Sequence, residues 1–197
     1  MKPFWEDEYL NKEKSTFGNP SKEVKEFVPY LKKDAKILDV GCGDGRHALY
    51  LASLGFQVDA FDLSKNAIEK IDYLKQNNLN IHTWVCDVLD YPFRYSYDLI
   101  IVHGVLQFID KTKQPQVIEL LKKWTNVNGY HVIALFTDEE PIPDDLKDVM
   151  VGVFKNEEIK DINWKTLMFE NKKFHDEHEN GIKHLHAMNK LVVKKIG

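Results

Sequence analysis

Five consecutive residues, Gly41-Cys42-Gly43-Asp44-Gly45, lie between an apolar run ending at Val40 and a helix-patterned run beginning at Arg46. Alternating glycines at a strand-to-helix turn let a ligand lie against bare backbone. They also accept the positive φ values that a Cβ would penalise. Further carboxylates follow in order. Asp39 precedes the loop, Asp62 closes the next strand-like run with Leu63 after it, and Asp87-Val88 closes a third. A carboxylate at the tip of a second strand can accept hydrogen bonds from both hydroxyls of a ribose. One at the third tip can accept from an adenine amino group while the neighbouring backbone amide donates to the ring. Taken singly, Asp62 also reads as a helix-capping residue ahead of Ser64, and Asp87 as a solvated loop aspartate. Their order along the chain points to a nucleoside.

Charge separates the candidate nucleosides. A dinucleotide site wants G-x-G-x-x-G and a helix N-terminus open to pyrophosphate, and here the last glycine position is Arg46. Asp39 and Asp44, in and beside the loop, would repel a diphosphate but suit a ligand carrying an ammonium and a sulfonium.

These residues need elements to hold them. Val24, Phe27, Val28 and Leu31 recur at helical spacing after the cap candidate Ser21. Lys36 to Val40 reads as a buried strand, Arg46 to Leu54 as a helix closed by Gly55, and Phe56 to Phe61 as a second strand. A helix from Lys65 to about Asn77 precedes a third strand, Ile81 to Val85. Tyr97 to Val102 is an unbroken apolar run suited to a strand covered on both faces. A helix around Gln116 to Thr125 and a turn Asn126-Val127-Asn128-Gly129 lead to a fifth strand, Tyr130 to Phe136. Such alternation predicts right-handed crossovers and a mainly parallel α/β sheet, a Rossmann-like three-layer sandwich. Asp138 to Asp148 reads as an acidic surface loop running into a short helix, and a further helix is expected around Asn156 to Asp161. Two more strands, Lys165 to Phe169 and Ile182 to Val193, are expected as an antiparallel hairpin flanking the polar stretch Glu170 to Gly181. We read residues 1–197 as one domain: a helical segment (1–35), a cofactor-binding core (36–136) and an acceptor-side loop and hairpin (137–197).

Composition narrows the partners. Thirty-one acids against twenty-seven bases, net charge −4, lack the basic field that nucleic acid requires. The acidic start has no secretory pattern and no apolar stretch reaches membrane length, so neither export nor a membrane is expected. With two cysteines, Cys42 and Cys86, a disulfide scaffold is implausible and the cytoplasm is the expected compartment. Monomer and homodimer both remain open.

The segment Ile37-Leu38-Asp39-Val40-Gly41-Cys42-Gly43-Asp44-Gly45-Arg46 resembles the first motif of class I S-adenosylmethionine-dependent methyltransferases. Val58 to Asp62 and Val85 to Val88 resemble that family's ribose and adenine motifs, and Tyr97 to Ile100 and Asn128 to Tyr130 its fourth and fifth strands. The likeness covers about residues 21–136. It implies seven strands with the last antiparallel, and S-adenosylmethionine as cofactor with S-adenosylhomocysteine as product. The cofactor-binding set is then Asp39, Gly41, Gly43, Gly45, Arg46, Asp62, Leu63, Asp87, Val88 and His103. Gly45 to Ala52, Val105 to Phe108 and the tail His175 to Lys195 are most similar to the TehB-type tellurite-resistance methyltransferases. That resemblance implies a role for His175, and for His186, which stands about where the family has an arginine.

Methyl transfer from a sulfonium is an in-line displacement, so a base is optional for acceptors that are already nucleophilic. The base candidates are His103, His175, His178, His184 and His186, with catalytic roles assigned to His103, His175 and His186. His184 and His186 share one strand face, equally compatible with acid–base work, with gripping an anion and with plain surface. No metal is expected. Val102 is followed by His103-Gly104-Val105 rather than the N-P-P-aromatic run used on nitrogen, and no Pro-Cys nucleophile occurs. A small-molecule acceptor is therefore expected, of the tellurite or selenium type, with thiol, oxygen or nitrogen acceptors as the alternative. A module that binds the cofactor without turnover is the reading from a different class.

Overall fold

A computed structural model of the chain describes residues 3–75, 78–161, 164–177 and 183–196. Its elements in chain order are α1 (Trp5–Glu8), α2 (Lys22–Phe27), β1 (Lys36–Val40), α3 (Arg46–Ser53), β2 (Gln57–Asp62), α4 (Lys65–Leu74), β3 (Ile81–Val85), β4 (Tyr97–His103), α5 (Gln114–Lys123), β5 (Thr125–Phe136), β6 (Lys165–Glu177) and β7 (Lys183–Lys194). All seven strands join one sheet in the order β3-β2-β1-β4-β5-β7-β6. β1 to β5 run parallel, and β7 lies antiparallel between β5 and β6. This is the Rossmann-like sandwich, with β1, the strand feeding the glycine loop, between β2 and β4 near the sheet centre.

Two apolar layers cover the sheet because the central strands bury residues on both faces. Ile37, Val58, Leu99, Ile101 and Val132 face one layer with Ala48, Leu51, Ile68 and Ile71 of α3 and α4. Leu38, Val40, Phe61, Ile100, Val102 and Ile133 face the other with Val117 and Leu121 of α5. Asp59, the one carboxylate buried inside β2, accepts from the hydroxyls of Tyr91, Tyr95 and Tyr97 at 3.2, 2.6 and 2.7 Å. Those bonds fasten the segment after β3, and with it Asp87-Val88, to the strand that ends in Asp62.

Several boundaries differ from the sequence reading. The helix after Ser21 tightens to a 3-10 turn at Val28–Tyr30, where Pro29 supplies no N–H. Ser21 has cap-like extended backbone, but its side chain makes no capping bond. The turn expected at Asn126–Gly129 is instead a bulged start of β5, with Asn128 at φ 66° and a register shift opposite Tyr97 and Leu99. Lys195 holds it, exchanging backbone bonds with Asn128 and Gly129. The expected helix near Asn156 is a 3-10 turn, Glu158–Asp161. The largest difference lies in the polar stretch after Phe169: β6 continues to Glu177, paired through to Glu177↔Lys183. An edge strand needs no apolar run, because one side faces solvent and charged residues blunt it. Asn77, His178, Gly181 and Ile182 lie outside the described residues.

One buried ion pair fastens the N-terminal segment to this frame. Lys70 Nζ of α4 stands 2.9 Å from Asp44, with side-chain exposures of 0% and 1%. The same ammonium donates to the Lys14 carbonyl at 2.7 Å, and the Thr16 amide donates to Asp44 at 2.6 Å. Removing one partner strands a buried charge, which costs about 3–5 kcal/mol. Lys70→Met should therefore lower unfolding free energy by about that amount in urea titrations, and the added change Asp44→Asn should restore part of it. An effect of Lys70→Met no larger than that of a surface substitution would contradict this role.

Candidate functional site

At the carboxyl ends of β1 to β5 lies a cavity of about 1110 Å³. Gly41, Cys42 and Gly43 form one wall, Asp62, Leu63 and Ser64 the next, and Cys86 to Leu89 a third. The loop bends because Gly43 adopts φ 53°, and a Cβ there would stand 3.0 Å from the Tyr9 hydroxyl. Its amide donates to Asp62 Oδ2 at 2.9 Å, and the Ser64 amide donates to Oδ1 at 2.8 Å. Each carboxylate oxygen can accept more than one bond, so Asp62 keeps capacity toward the cavity for paired hydroxyls. Burial raises its pKa against the opposing pull of those amides. Asp87 Oδ1 accepts from the Leu89 amide at 2.8 Å, which curls the strand end so that Val88 lines the cavity. Gly41, Gly43, Asp62, Leu63, Asp87 and Val88 thus meet around one volume, as the sequence reading requires.

Three residues of that reading lie behind the wall. Gly45 caps α3, and a Cβ there would fall 2.7 Å from Ile71, so its smallness lets α3 and α4 pack. Asp39 is 1% exposed, and Asp44 is 2% exposed with its Oδ2 held by Lys70, so neither carboxylate faces the cavity. The expectation that both aspartates repel phosphate at the loop surface needs this correction: Asp44 is neutralised by its partner. Asp39 stays buried, and that burial pushes its pKa up to about 7 against the pull of Arg46.

His103, expected as a base, is clamped. Arg46 donates to its Nδ1 at 3.0 Å, which leaves the proton on Nε2, donated to Glu23 Oε1 at 3.0 Å. Glu23 Oε2 also pairs with Lys190 of β7 at 3.1 Å. Burial lowers the His103 pKa despite Glu23. On Glu23, burial opposes ionisation, but the His103 bond and Lys190 prevail and hold its pKa below the usual range. With both nitrogens engaged, His103 organises this buried group rather than awaiting a proton. Arg46 is engaged too, donating to the Phe17 carbonyl at 3.0 Å.

The tail histidines separate by strand alternation. His186 on β7 is 4% exposed, lines the cavity, and packs its ring 4.9 Å from Phe136 and 5.5 Å from Phe174. His175 pairs with Leu185 one register step away, is exposed, and is outside the cavity wall. His184 lies 6.0 Å from His186, ring to ring. Among the described residues no cluster of three His, Cys, Asp or Glu could hold a metal ion.

Sequence reasoning missed the cover. Phe4, Trp5, Glu6, Tyr9, Thr16 and Phe17 line the cavity, and no strand-tip or glycine pattern points to them. Trp5 packs 5.2 Å from Phe108, and Tyr9 is 4% exposed above Gly43. An aromatic-rich start with no helical period was the only signal. The far wall, with Gln107, Lys172, Phe174 and Lys190, was missed because it assembles from β6, β7 and the 3-10 turn Leu106–Phe108.

The family model described as tellurite resistance protein TehB matches residues 4–189. The chain belongs to the TehB family. It is similar to a Haemophilus influenzae protein named a probable S-adenosyl-L-methionine-dependent methyltransferase TehB, 39% identical over 111 residues, which is 55% of this chain and 39% of that protein. A Rickettsia akari ubiquinone biosynthesis O-methyltransferase is 34% identical over 100 residues, 50% of this chain and 39% of that one. Each match thus spans about two-fifths of the curated relative's length. The crystal structure of TehB from Haemophilus influenzae superimposes with a TM-score of 0.80 at 28% identity, covering 97% of this chain and 67% of that one.

The raised pKa of Asp39 has a definite sign in stability. A carboxyl that titrates near 7 when folded and near 3.8 when unfolded is penalised as pH rises between those values, and fully so above about 7. The melting temperature of Asp39→Asn minus that of the unliganded wild type should therefore grow from pH 5 to pH 8. A flat or falling difference would contradict the assignment.

Proposed function

We propose that this TehB-family chain binds S-adenosylmethionine and transfers its methyl group to a small, soft acceptor of the tellurite or selenium type. The supporting observation is the continuity of the cavity, which runs from the glycine loop, Asp62 and Asp87-Val88 to His186, Lys172 and Lys190. One end fits a nucleoside: the backbone at Gly41 and Gly43 is bare, Asp62 can accept from ribose hydroxyls, and Asp87 with the Val88 amide can serve an adenine edge. The bound cofactor supplies an electrophilic methyl on a positively charged sulfur. On this reading residues 36–136 are the cofactor core and residues 137–197 the acceptor side, acting with the N-terminal segment as one unit.

The chain's own part is to orient and to dry the site. Trp5, Tyr9 and Phe17 cover the cavity, and excluding water protects an in-line displacement from a competing nucleophile. Lys172 brings positive charge to the acceptor wall, beside a Lys190 already paired with Glu23, which suits an anionic acceptor. The engagement of both His103 nitrogens favours acceptors that are nucleophilic without losing a proton, such as reduced chalcogen species and thiolates. A cytoplasmic setting belongs to the same reading, supported by two cysteines that are both unpaired.

Calorimetry should find binding of S-adenosylhomocysteine and none of NADH, with Asp62→Ala weakening the former by about 1–3 kcal/mol. Wild-type protein should form S-adenosylhomocysteine when supplied with selenite, tellurite, arsenite or small thiols. His186→Ala should cut that turnover at least tenfold, and His175→Ala less than twofold. Tight binding with no turnover on any acceptor would favour a non-catalytic binding module, and NADH binding would overturn the reading.

A further inference from the structure

Gln107 is the least explained residue in the cavity wall. Its side chain is fully buried, and among the described residues neither its amide nitrogen nor its carbonyl oxygen has a hydrogen-bond partner. Buried carboxamides are normally satisfied at both ends, because the low dielectric makes an unpaired donor or acceptor costly. Gln114, close by, shows what a structural glutamine does: its Nε2 donates to the carbonyls of Leu106, Ile109 and Gly152. Asn189 on β7 is likewise buried without a partner, but it is outside the cavity wall. Gln107 therefore combines buried, unmet hydrogen-bonding capacity with a place on the cavity.

Its position is also fixed. The 3-10 turn that carries it is pinned by the Gly152 amide, which donates to the Gln107 carbonyl at 2.9 Å. Its Nε2 stands 3.9 Å from where a Cβ on Gly104 would be, so the carboxamide lies beside the end of β4. His103, Gly104 and Val105 at that end line the cavity with Gln107. A carboxamide offers an N–H donor and a C=O acceptor side by side, so its best partner presents the complementary pair.

Resting on the methyltransferase reading, we propose that Gln107 is the specificity-determining residue for the acceptor. It grips a small molecule that shows an O–H and an anionic oxygen on one centre, as a singly protonated oxyanion does. Nε2–H donates to the oxygen anion while Oε1 accepts from the hydroxyl. Lys172 on the same cavity supplies the charge complement. A plain thiol has no such pair and is held by shape alone, so the two acceptor classes should respond differently to loss of the carboxamide.

Gln107→Met keeps the length of the side chain and removes both hydrogen-bonding ends. Its affinity for S-adenosylhomocysteine by calorimetry should stay within twofold of wild type. Its kcat/KM with selenite or tellurite should fall at least tenfold, chiefly through KM, while kcat/KM with benzenethiol stays within threefold. Gln107→Glu, which keeps an acceptor but adds repulsion, should do worse with selenite than Gln107→Met. Unchanged selenite kinetics, or equal losses on selenite and benzenethiol, would overturn the proposal. A measurement independent of turnover is the side-chain amide resonance of Gln107, assigned by its absence from the Gln107→Met spectrum. It should shift when sodium selenite is added with S-adenosylhomocysteine present, and a resonance that does not move would overturn the proposal. If the resonance moves but no acceptor turns over, the catalytic reading fails while the binding role of Gln107 stands.

Discussion

The site depends on one hydrogen bond: the Gly43 amide donating to Asp62 across 2.9 Å. It joins the turn after β1 to the tip of β2, so the bare backbone and the ribose-type carboxylate form a single rigid edge. Gly43 takes a positive φ at this point, a backbone conformation that a Cβ would penalise. Asp62 is locked in the same stroke by the Ser64 amide, which begins α4. Loop, strand tip and helix start are therefore one preorganised unit, and a nucleoside meets groups that need little reordering.

Around that edge the chain distributes its charge by pairing. Asp44 serves Lys70 and the main chain at Thr16, and thereby holds the N-terminal segment over the cavity. Glu23 serves His103 and Lys190, and thereby ties α2 to the tip of β4 and to β7. Both carboxylates fasten the cover and the far wall to the nucleotide-type core. The far wall of the cavity carries Lys172, Gln107 and the His186 ring packed among Phe136 and Phe174.

The glycine-loop end of the cavity was readable from sequence because it is local. Glycine spacing, apolar runs and the acid at each strand tip all lie within a few residues of the feature they specify, and Gly41, Gly43, Asp62 and Asp87 fall where that pattern puts them. The partners of buried acids were not readable. Asp44 and Lys70 are twenty-six positions apart in sequence, and no spacing rule joins a loop acid to a lysine on the second helix after it. His103 read as a free base because Glu23 and Arg46 reach it only through the fold. The extension of β6 to Glu177 escaped for another reason: an edge strand is made by its backbone ladder, and Glu170 to Glu177 carry the polar residues of a loop. The choice between His175 and His186 needed the register, since one step along a strand reverses the face.

Amide hydrogen exchange, followed with and without a nucleoside, addresses the shared edge most directly. Saturating S-adenosylhomocysteine should slow exchange in peptides spanning residues 41–45, 62–64 and 86–89 and in the cover at residues 3–18, while NADH leaves all of them at their unliganded rates. Loop amides that exchange equally fast with and without S-adenosylhomocysteine, or that are protected by NADH, would contradict the account.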